Sequence, residues 1–358
     1  MQRNIRVGIL FGGKSAEHEV SLRSAKSVAA ALDKKKFDVV FIGIDKSGKW
    51  LPPSDSKKLL ASAPALYARR GGESVAMIPQ SAGVLEENGE PSHKIDVMFP
   101  ILHGPFGEDG TVQGLLKLAD VPFVGPGVLG SAVGMDKDVM KRLLREAGIP
   151  IGKFITLHRG EKITYEKAAR ALGTPLFVKP ANLGSSIGVT KVHNKKEFRK
   201  AMKEAFEFDS KVLIEECIHG REIECAVLGN EKPKASIPGE IIPTHEFYSY
   251  EAKYLDENGA CLEIPAKLSK KTQRRVQELA VQTFKVLCCE GMGRVDTFVT
   301  KSGKVYVNEI NSIPGFTSIS MYPKLWEASG VPYSKLIEIL LLLAIERFEK
   351  DKKLKVSR

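Results

Sequence analysis

The sequence predicts a three-part chain in the α/β and α+β classes: an N-terminal open parallel α/β layer followed by two mixed α+β regions. Three observations carry that prediction. An apolar strand, a helix and a second apolar strand follow one another over residues 5–44, the pattern of a βαβ unit in a parallel sheet. Strand and helix patterns alternate again between residues 150 and 217. The last third instead opens on paired strands about short turns and contains one strongly marked hairpin, residues 293–311. A chain of 358 residues exceeds a single core, so two or three domains are expected. The pattern divides it at 1–125, 126–217 and 218–358.

The elements follow in order. "IRVGIL" (5–10) reads as a buried strand ending in "FGG", and Ser21 is placed to cap a helix running to about Leu32. "FDVVFIGI" (37–44) is a second strand. Residues 46–93, rich in Ser, Pro, Gly and Lys with a weak helix near 57–69, read as peripheral. "IDVMFPIL" (95–102), "TVQGLLKLA" (111–119) and "VPFVG" (121–125) give strand, helix and strand. "GPGVLGSAVG" reads as a linker. Asp136 then caps a helix over 137–147 that stops at Gly148 before Pro150. The middle region continues as strand, helix (164–172), strand (176–179), Gly/Ser loop, strand (187–192), helix (195–206) and strand (211–217). "REIECAVLGNEKPKASIPGEII" predicts antiparallel strands about "GNEK". A polar aromatic loop (244–262), a long helix from Ser269 to about Cys289, the hairpin and a C-terminal helix complete the chain.

Composition excludes several function classes. The 43% hydrophobic content is that of a soluble globular protein. The net charge of +11 reads first as a solvated lysine-rich surface, and it also suits an anionic substrate such as a nucleotide. No zinc-finger spacing or RNP-type aromatic motif is present, so nucleic acid is not an expected partner. The cysteines at 217, 225, 261, 288 and 289 are odd in number and form no CxxC. Buried thiols are therefore expected rather than disulfides or a zinc site, with Cys288 and Cys289 on a helix. "MQRNIRVGIL" enters a strand without a signal-peptide pattern, and "LLLLAI" (340–345) falls far short of the ~20 residues of a membrane span. A cytoplasmic protein with no membrane partner is expected.

Two stretches carry chemistry. "KPANLGSSIGVTKV" (179–192) places a Lys at a strand end before small residues, which suits either a phosphate loop or an ordinary tight turn. In the hairpin, Ser302-Gly303 sits at the tip. Pairing Lys301 with Lys304 sets Asp296 opposite Glu309 and Arg294 opposite Asn311. Two facing carboxylates repel each other, so a proton, a basic side chain or a metal ion must offset them. Two carboxylates and an amide oxygen suit Mg²⁺ or Mn²⁺. A solvated face neutralised by Arg294 is the plainer alternative.

"FGGKSAEHEVS" (11–21), "HGPFGEDGT" (103–111), "GMDK" (134–137), "VKPANLGSSIGV" (178–189), "YEAKY" (250–254), "GRVD" (293–296) and "NEINSIPGFTSIS" (308–320) occur here in one order. In those pieces, across nearly its whole length apart from 46–93, the chain resembles the D-alanine–D-alanine ligases, ATP-grasp enzymes of peptidoglycan synthesis. The resemblance implies an ATP-grasp fold and conversion of ATP and two D-alanines to D-alanyl-D-alanine, ADP and phosphate through a D-alanyl phosphate. It also implies two ions of Mg²⁺ or Mn²⁺ and a homodimer.

Site residues carry over position by position. Lys137 and Lys179 match the lysines on the ATP phosphates. The loop 182–188, with Ser185 and Ser186, matches a flap that closes through backbone N–H groups, Gly184 and Gly188 permitting close approach. Glu215 matches the acceptor for the adenine amine, Cys217 and Ile218 line the hinge, and Glu222 matches the ribose acceptor. Phe247, Lys253 and Asn308 complete the nucleotide set. Asp296, Glu309 and Asn311 match the metal ligands. Glu17 matches the carboxylate on the first substrate's ammonium and joins a trio with Ser185 and Tyr254. Arg294 and the N–H of Gly315 match the oxyanion donors. Ser320, Met321 and Lys253 lie near the second substrate's carboxylate. His103 matches a residue of second-substrate handling, with a structural role as its alternative. Glu216 and Cys217 stand where relatives often carry Lys and a bulky apolar residue. Tyr254 points to an amine nucleophile, since ligases that make D-alanyl-D-lactate tend to replace it.

Three other readings remain at this stage: a D-alanine–D-lactate type or other ATP-grasp carboxylate–amine ligase, a non-catalytic ATP-binding sensor, and a nicotinamide dehydrogenase. The last is disfavoured because "GILFGGKSAEH" lacks a full G-x-G-x-x-G.

Overall fold

The computed structural model describes residues 3–61, 74–243 and 260–355. Strand β1 (Ile5–Gly12) lies between β2 (Phe37–Ile44) and β6 (Val97–Ile101) in a three-stranded parallel sheet. Alternation sends Val7, Ile9 and Phe11 into one buried cluster and Leu10 into another on the opposite face. Both faces are covered, which is why the strand reads as a continuous apolar run. Helix α1 (His18–Ala31) covers the first face together with α9 (Met321–Ala328) and α10 (Tyr333–Asp351) from the far end of the chain.

Helix α1 starts before the Ser21 cap that the sequence suggests. Ser21 lies inside it, accepting from Gly12 N at 2.7 Å and donating to the Ile101 carbonyl, so its hydroxyl stitches β1 to β6. Gly12 has φ +92, and a Cβ there would stand 2.1 Å from the Ile44 carbonyl oxygen. Only glycine permits that turn.

The 46–93 region contains α2 (Pro53–Ala61) and an unanticipated antiparallel sheet of β3 (Val75–Met77), β4 (Val84–Glu87) and β5 (Glu90–Lys94). The rest of the weak helix expected to 69 lies outside the described residues. After α3 (Thr111–Leu118), the segment 121–125 is not a strand. It makes one parallel bridge, Met98 to Phe123. Arg347 of α10 takes the carbonyls a further strand would have used, donating to Phe123 at 2.8 Å and Gly125 at 2.6 Å.

The expected linker folds as a helix, α4 (Val128–Met135). Its small residues serve close packing: a Cβ on Gly130 would lie 2.6 Å from the Cys288 carbonyl oxygen. Helix α5 (Lys137–Glu146) is capped by Asp136, whose side chain accepts from Asp138 N and Val139 N.

The middle region is an antiparallel sheet in the order β7 (Phe154–His158), β10 (Lys211–Glu216), β8 (Leu176–Pro180), β9 (Thr190–Val192), backed by α6 (Tyr165–Leu172) and α7 (Lys195–Phe208). In the last region, β11 (Gly220–Gly229) pairs with β12 (Lys234–Ala235), β13 (Gly239–Pro243) and β15 (Gly291–Thr300). Strands β14 (Ala260–Glu263) and β16 (Val305–Asn311) flank these. Helix α8 (Lys270–Val286) packs on one face. It ends short of Cys289 because Cys288 takes φ +54 and turns outward. Cys225 and Cys289 are buried, but Cys261 and Cys288 are exposed and Cys217 is half-buried; all are free thiols.

The hairpin turn differs from expectation. Thr300, not Lys301, pairs with Lys304: Thr300 N donates to the Lys304 carbonyl at 2.9 Å, and Gly303 takes the left-handed conformation of a three-residue loop. A bulge between Asp296 and Thr297 then absorbs one residue of β16, so Asp296 faces Glu309 and Arg294 faces Asn311 as anticipated. The one-residue longer loop and the extra residue Asn308 offset each other, which restores the facing pairs.

Candidate active site

A cavity of about 1100 Å³ lies between the middle and last sheets. It brings together Lys137, Lys179, Ser185, Ser186, Glu215, Cys217, Ile218, Glu222, Asp296, Asn308 and Glu309. Phe247, Lys253 and Tyr254 lie outside the described residues. Asn308 and Glu309 both line the cavity, Asn308 being the residue that the bulge leaves unpaired on β16.

At one side of the cavity, Glu215 sits between two buried lysines. Lys179 Nζ is 2.8 Å from one carboxylate oxygen and Lys141 Nζ 3.3 Å from the other. Burial alone would push Glu215 upward, but Lys141 and Lys179 together outweigh it and hold its pKa below the ordinary value. Lys141 is 1% exposed, and burial lowers its pKa despite Glu215. Burial also lowers Lys137, which donates to the Leu183 carbonyl at 2.5 Å and stands 3.9 Å from Glu309. Lys137 thus reaches both the 182–188 loop and the hairpin. In that loop Ser185 and Ser186 both have positive φ, 54° and 58°. Left-handed backbone at consecutive non-glycine residues is uncommon and marks a shape imposed from outside the local sequence.

A row of carboxylates crosses three strands. Asp296 on β15 faces Glu309 on β16 and Glu224 on β11. Arg294 holds Asp296 through two hydrogen bonds of 2.8 Å and lies 2.9 Å from Glu224. Asn311 Nδ2 donates to Asp296 at 2.9 Å. Arginine therefore meets part of the repulsion, and Glu309 keeps Lys137 nearby. Among the described residues, no three of His, Cys, Asp and Glu gather to hold a metal by themselves. Two facing carboxylates with a neighbouring amide form a hard-oxygen set, suited to a cation that completes its shell with phosphate oxygens and water.

A second group gathers at the C-terminal end of the parallel sheet. Glu17 is buried in the N-cap position of α1 but caps nothing with its side chain. It accepts from Ser185 Oγ instead, joining the 182–188 loop to the N-terminal region. His103 is 5% exposed. Its Nδ1 is 3.1 Å from the Ile313 carbonyl oxygen, so that nitrogen carries the proton and Nε2 is bare. Nε2 has no hydrogen-bond partner among the described residues. Burial lowers the His103 pKa, with Glu17 and the Ile313 carbonyl opposing it. Glu108 accepts from Gly104 N at 2.8 Å and Ile313 N at 3.2 Å. Packing around its carboxyl, then the charge of Glu17, push its pKa up to about 8. Ser320 precedes α9, and its Oγ accepts from Thr317 N at 3.0 Å. Met321 is buried.

Sequence reasoning missed Lys141, Glu224 and Glu108. The first two had a signal. Lys141 follows Lys137 at helical i,i+4 spacing, and Glu224 follows Glu222 at strand spacing, so each pair shares a face. Glu108 stands in a loop, inside the piece "HGPFGEDGT", but no spacing singled it out there.

A family model described as the D-ala D-ala ligase N-terminus matches residues 6–126, and one described as the D-ala D-ala ligase C-terminus matches residues 143–342. A D-alanine–D-alanine ligase of Oceanobacillus iheyensis is 54% identical, covering 99% of this chain and 98% of the relative. D-alanine–D-alanine ligase A of Escherichia coli is 52% identical, with 99% of each covered. Among solved structures, the D-alanine-D-alanine ligase of Coxiella burnetii superposes with TM-score 0.88 at 41% identity, covering 98% of this chain and 97% of that one. The VanG D-Ala:D-Ser ligase of Enterococcus faecalis gives 0.83 at 38%, covering 96% and 100%.

Proposed function

The chain belongs to the D-alanine–D-alanine ligase family, and from that premise we propose how its residues divide the work. It has the ATP-grasp fold and is an ADP-forming ligase that joins two D-alanines for peptidoglycan precursor synthesis, using ATP. The boundaries near 125 and 217 separate a substrate-binding region from two that clasp the nucleotide, a division supported by the separate sheets.

The observation that carries the assignment of roles is the cavity shared by Lys137, Lys179, Asp296 and Glu309 beside the Glu17–Ser185 contact. The first step joins two anions, a carboxylate and a phosphoryl group, so charge neutralisation and positioning dominate. Lys137 and Lys179 neutralise the phosphates. Glu215 aims Lys179 through their ion pair and accepts from the adenine amine, while Cys217, Ile218 and Glu222 line the adenine and ribose positions. Asp296, Glu309 and Asn311 would hold Mg²⁺ or Mn²⁺, which supplies further positive charge at the phosphates. Ser186, Asn308, Phe247 and Lys253 complete the nucleotide contacts.

Glu17 binds the first D-alanine's ammonium at the C-terminal end of the sheet, where open α/β sheets take ligands. The carboxylate of that first D-alanine attacks the γ-phosphoryl group, the bond to ADP breaks, and D-alanyl phosphate forms. The second D-alanine, with its carboxylate at Ser320, Met321 and Lys253, loses a proton and attacks the acyl carbonyl through nitrogen. Arg294 and the Gly315 N–H stabilise the oxyanion. Collapse breaks the bond to phosphate and leaves the dipeptide. Ser185, with Tyr254, ties the lid to Glu17 and excludes the water that would hydrolyse the acyl phosphate. His103 contacts the second substrate's side of the site.

A second copy of the chain is the proposed partner. Among the described residues no single helix is long and apolar enough to cross a membrane. We place the reaction in the cytoplasm, where ATP and D-alanine meet. Phosphate release with D-alanine, D-lactate and D-serine as second substrate tests the reading. D-Alanine is expected to be preferred near neutral pH, with D-alanyl-D-alanine as product. Preference for D-lactate or D-serine would overturn it.

A further inference from the structure

The segment 312–317 carries the Gly315 N–H, and its backbone is pinned on both sides of that group. On one side the Ile313 peptide is gripped twice from the 103–108 loop: His103 Nδ1–H donates to its carbonyl at 3.1 Å, and Glu108 accepts its N–H at 3.2 Å. On the other side, Phe316 N donates to Ser24 Oγ at 3.2 Å, and Tyr333 Oη donates to the Phe316 carbonyl at 2.7 Å. Pro314 has no N–H to give. Among the described residues, the Gly315 N–H is given to no protein acceptor, although its neighbours at 313, 316 and 317 are all engaged. Ser312, Ile313 and Phe316 are buried, so the segment has little freedom beyond what those bonds leave it.

Holding one N–H open while fixing the peptides around it is what a preorganised oxyanion donor requires, because its value depends on alignment before the charge appears. The Glu108 carboxyl also accepts from Gly104 N at 2.8 Å, which fixes the loop bearing His103. The two grips are therefore one unit.

We propose that Glu108 and His103 are positioning residues for the second chemical step, holding the Ile313 peptide so that the Gly315 N–H meets the developing oxyanion. This rests on the ligase reading above. His103 serves here through Nδ1–H, not through its bare Nε2. In that step the amine nitrogen bonds to the acyl carbonyl carbon, the C=O pair moves to oxygen, and the amine proton passes to the departing phosphate. The pair then returns as the C–O bond to phosphate breaks. The first step forms no such oxyanion and does not need the grip.

The test compares the two steps in one protein. Scrambling of ¹⁸O between the β,γ-bridge and β-nonbridge positions of ATP reports acyl phosphate formation, and dipeptide release reports the whole reaction. For Glu108→Ala and His103→Ala, the ratio of scrambling to dipeptide should rise roughly 10- to 100-fold, the range expected for a misaligned oxyanion donor. ATP KM should stay within about threefold of wild type, because neither residue lines the nucleotide cavity. His103→Asn retains a donor near the Nδ1 position and lacks any counterpart of Nε2, so its ratio should lie well below that of His103→Ala. The proposal is overturned if scrambling and dipeptide fall together, if neither moves, or if His103→Asn behaves like His103→Ala. Wild-type protein that makes no dipeptide from D-alanine would sink the ligase reading and the proposal with it, a failure distinguished from the others by appearing before any substitution.

Discussion

Replacing Glu215 by Gln removes the only carboxylate within 4 Å of Lys141 and Lys179 among their described ion pairs. The two lysines are 1% and 6% exposed, so water cannot take over. With an effective dielectric near 20, the contacts at 2.8 and 3.3 Å correspond to gross attractions of about 6 and about 5 kcal/mol. Desolvation of the three groups offsets most of that, and the net worth of the cluster is small. Removing one member is different, because it strands buried charge: a loss of about 3–5 kcal/mol is expected. Urea unfolding of the nucleotide-free protein measures it. Lys141→Met in the Glu215→Gln background removes the more deeply buried stranded ammonium and should recover about 1–3 kcal/mol, the range of couplings between contacting groups. A coupling below about 0.5 kcal/mol would refute the reasoning, since it would mean that Lys141 and Glu215 are solvated independently. Because Glu215 is held below its ordinary pKa, its contribution is present above the unfolded value and is lost as pH falls through the folded one. Acid sensitivity should therefore lessen in the Glu215→Gln protein.

Other perturbations give separate readouts. Glu309→Gln should reduce dipeptide formation roughly 100-fold or more while ATP affinity, measured by calorimetry, weakens less than about tenfold; unchanged ligation would remove Glu309 from the metal set. Ser185→Ala breaks the lid's bond to Glu17 and should raise the ratio of ATP hydrolysis to dipeptide, because water then reaches the acyl phosphate. Arg347→Met leaves the Phe123 and Gly125 carbonyls without their donor and should destabilise the protein by about 2–4 kcal/mol in urea, with kcat little changed. Glu108 is raised to about 8, so the folded state binds its proton more tightly and stability should fall as pH rises from about 5 to about 8. Glu17 and Arg294 face that carboxyl along with the Gly104 and Ile313 amides, and Glu108→Gln should flatten the profile.

Legibility in the sequence followed the range of the interactions. Strands β2 and β6 were readable because both faces of the parallel sheet are buried, and the α5 and α8 starts because Asp136 and Ser269 cap them locally. Ser21 misled for the opposite reason: its hydroxyl is used by β1 and β6, a partnership between segments distant in sequence. Gly130 made α4 look like a linker, because the helix propensity of a glycine carries no record of the Cys288 backbone packed against it. In the site, Arg294 and Asp296 were legible from their spacing on one strand, while Lys141 and Glu224 carried the same kind of spacing signal and were passed over. Glu108 was not legible, since its meaning lies in reaching Ile313 across 205 residues of chain.

Charge balance gives one more consequence for the nucleotide site. Lys137, Lys141, Lys179 and Arg294 stand against Glu215, Glu224, Asp296 and Glu309, so the cluster is neutral before anything binds. Free ATP would add about four negative charges to a buried neutral site, whereas ATP with two divalent cations adds about none. The site should therefore discriminate strongly against uncomplexed nucleotide. Lys179 can turn from Glu215 to phosphate only if the carboxylate row accepts a cation elsewhere to keep the sum near zero. Calorimetry of ATP with excess chelator against ATP with excess Mg²⁺ should show affinity weaker by roughly 100-fold or more without the cation. Asp296→Asn combined with Glu309→Gln removes two negative charges, makes the cluster cationic, and should narrow that gap by raising the affinity for free ATP. Equal affinities in the wild-type protein would show that its lysines bind triphosphate without help, and would remove the reason for two carboxylates to face each other across the hairpin.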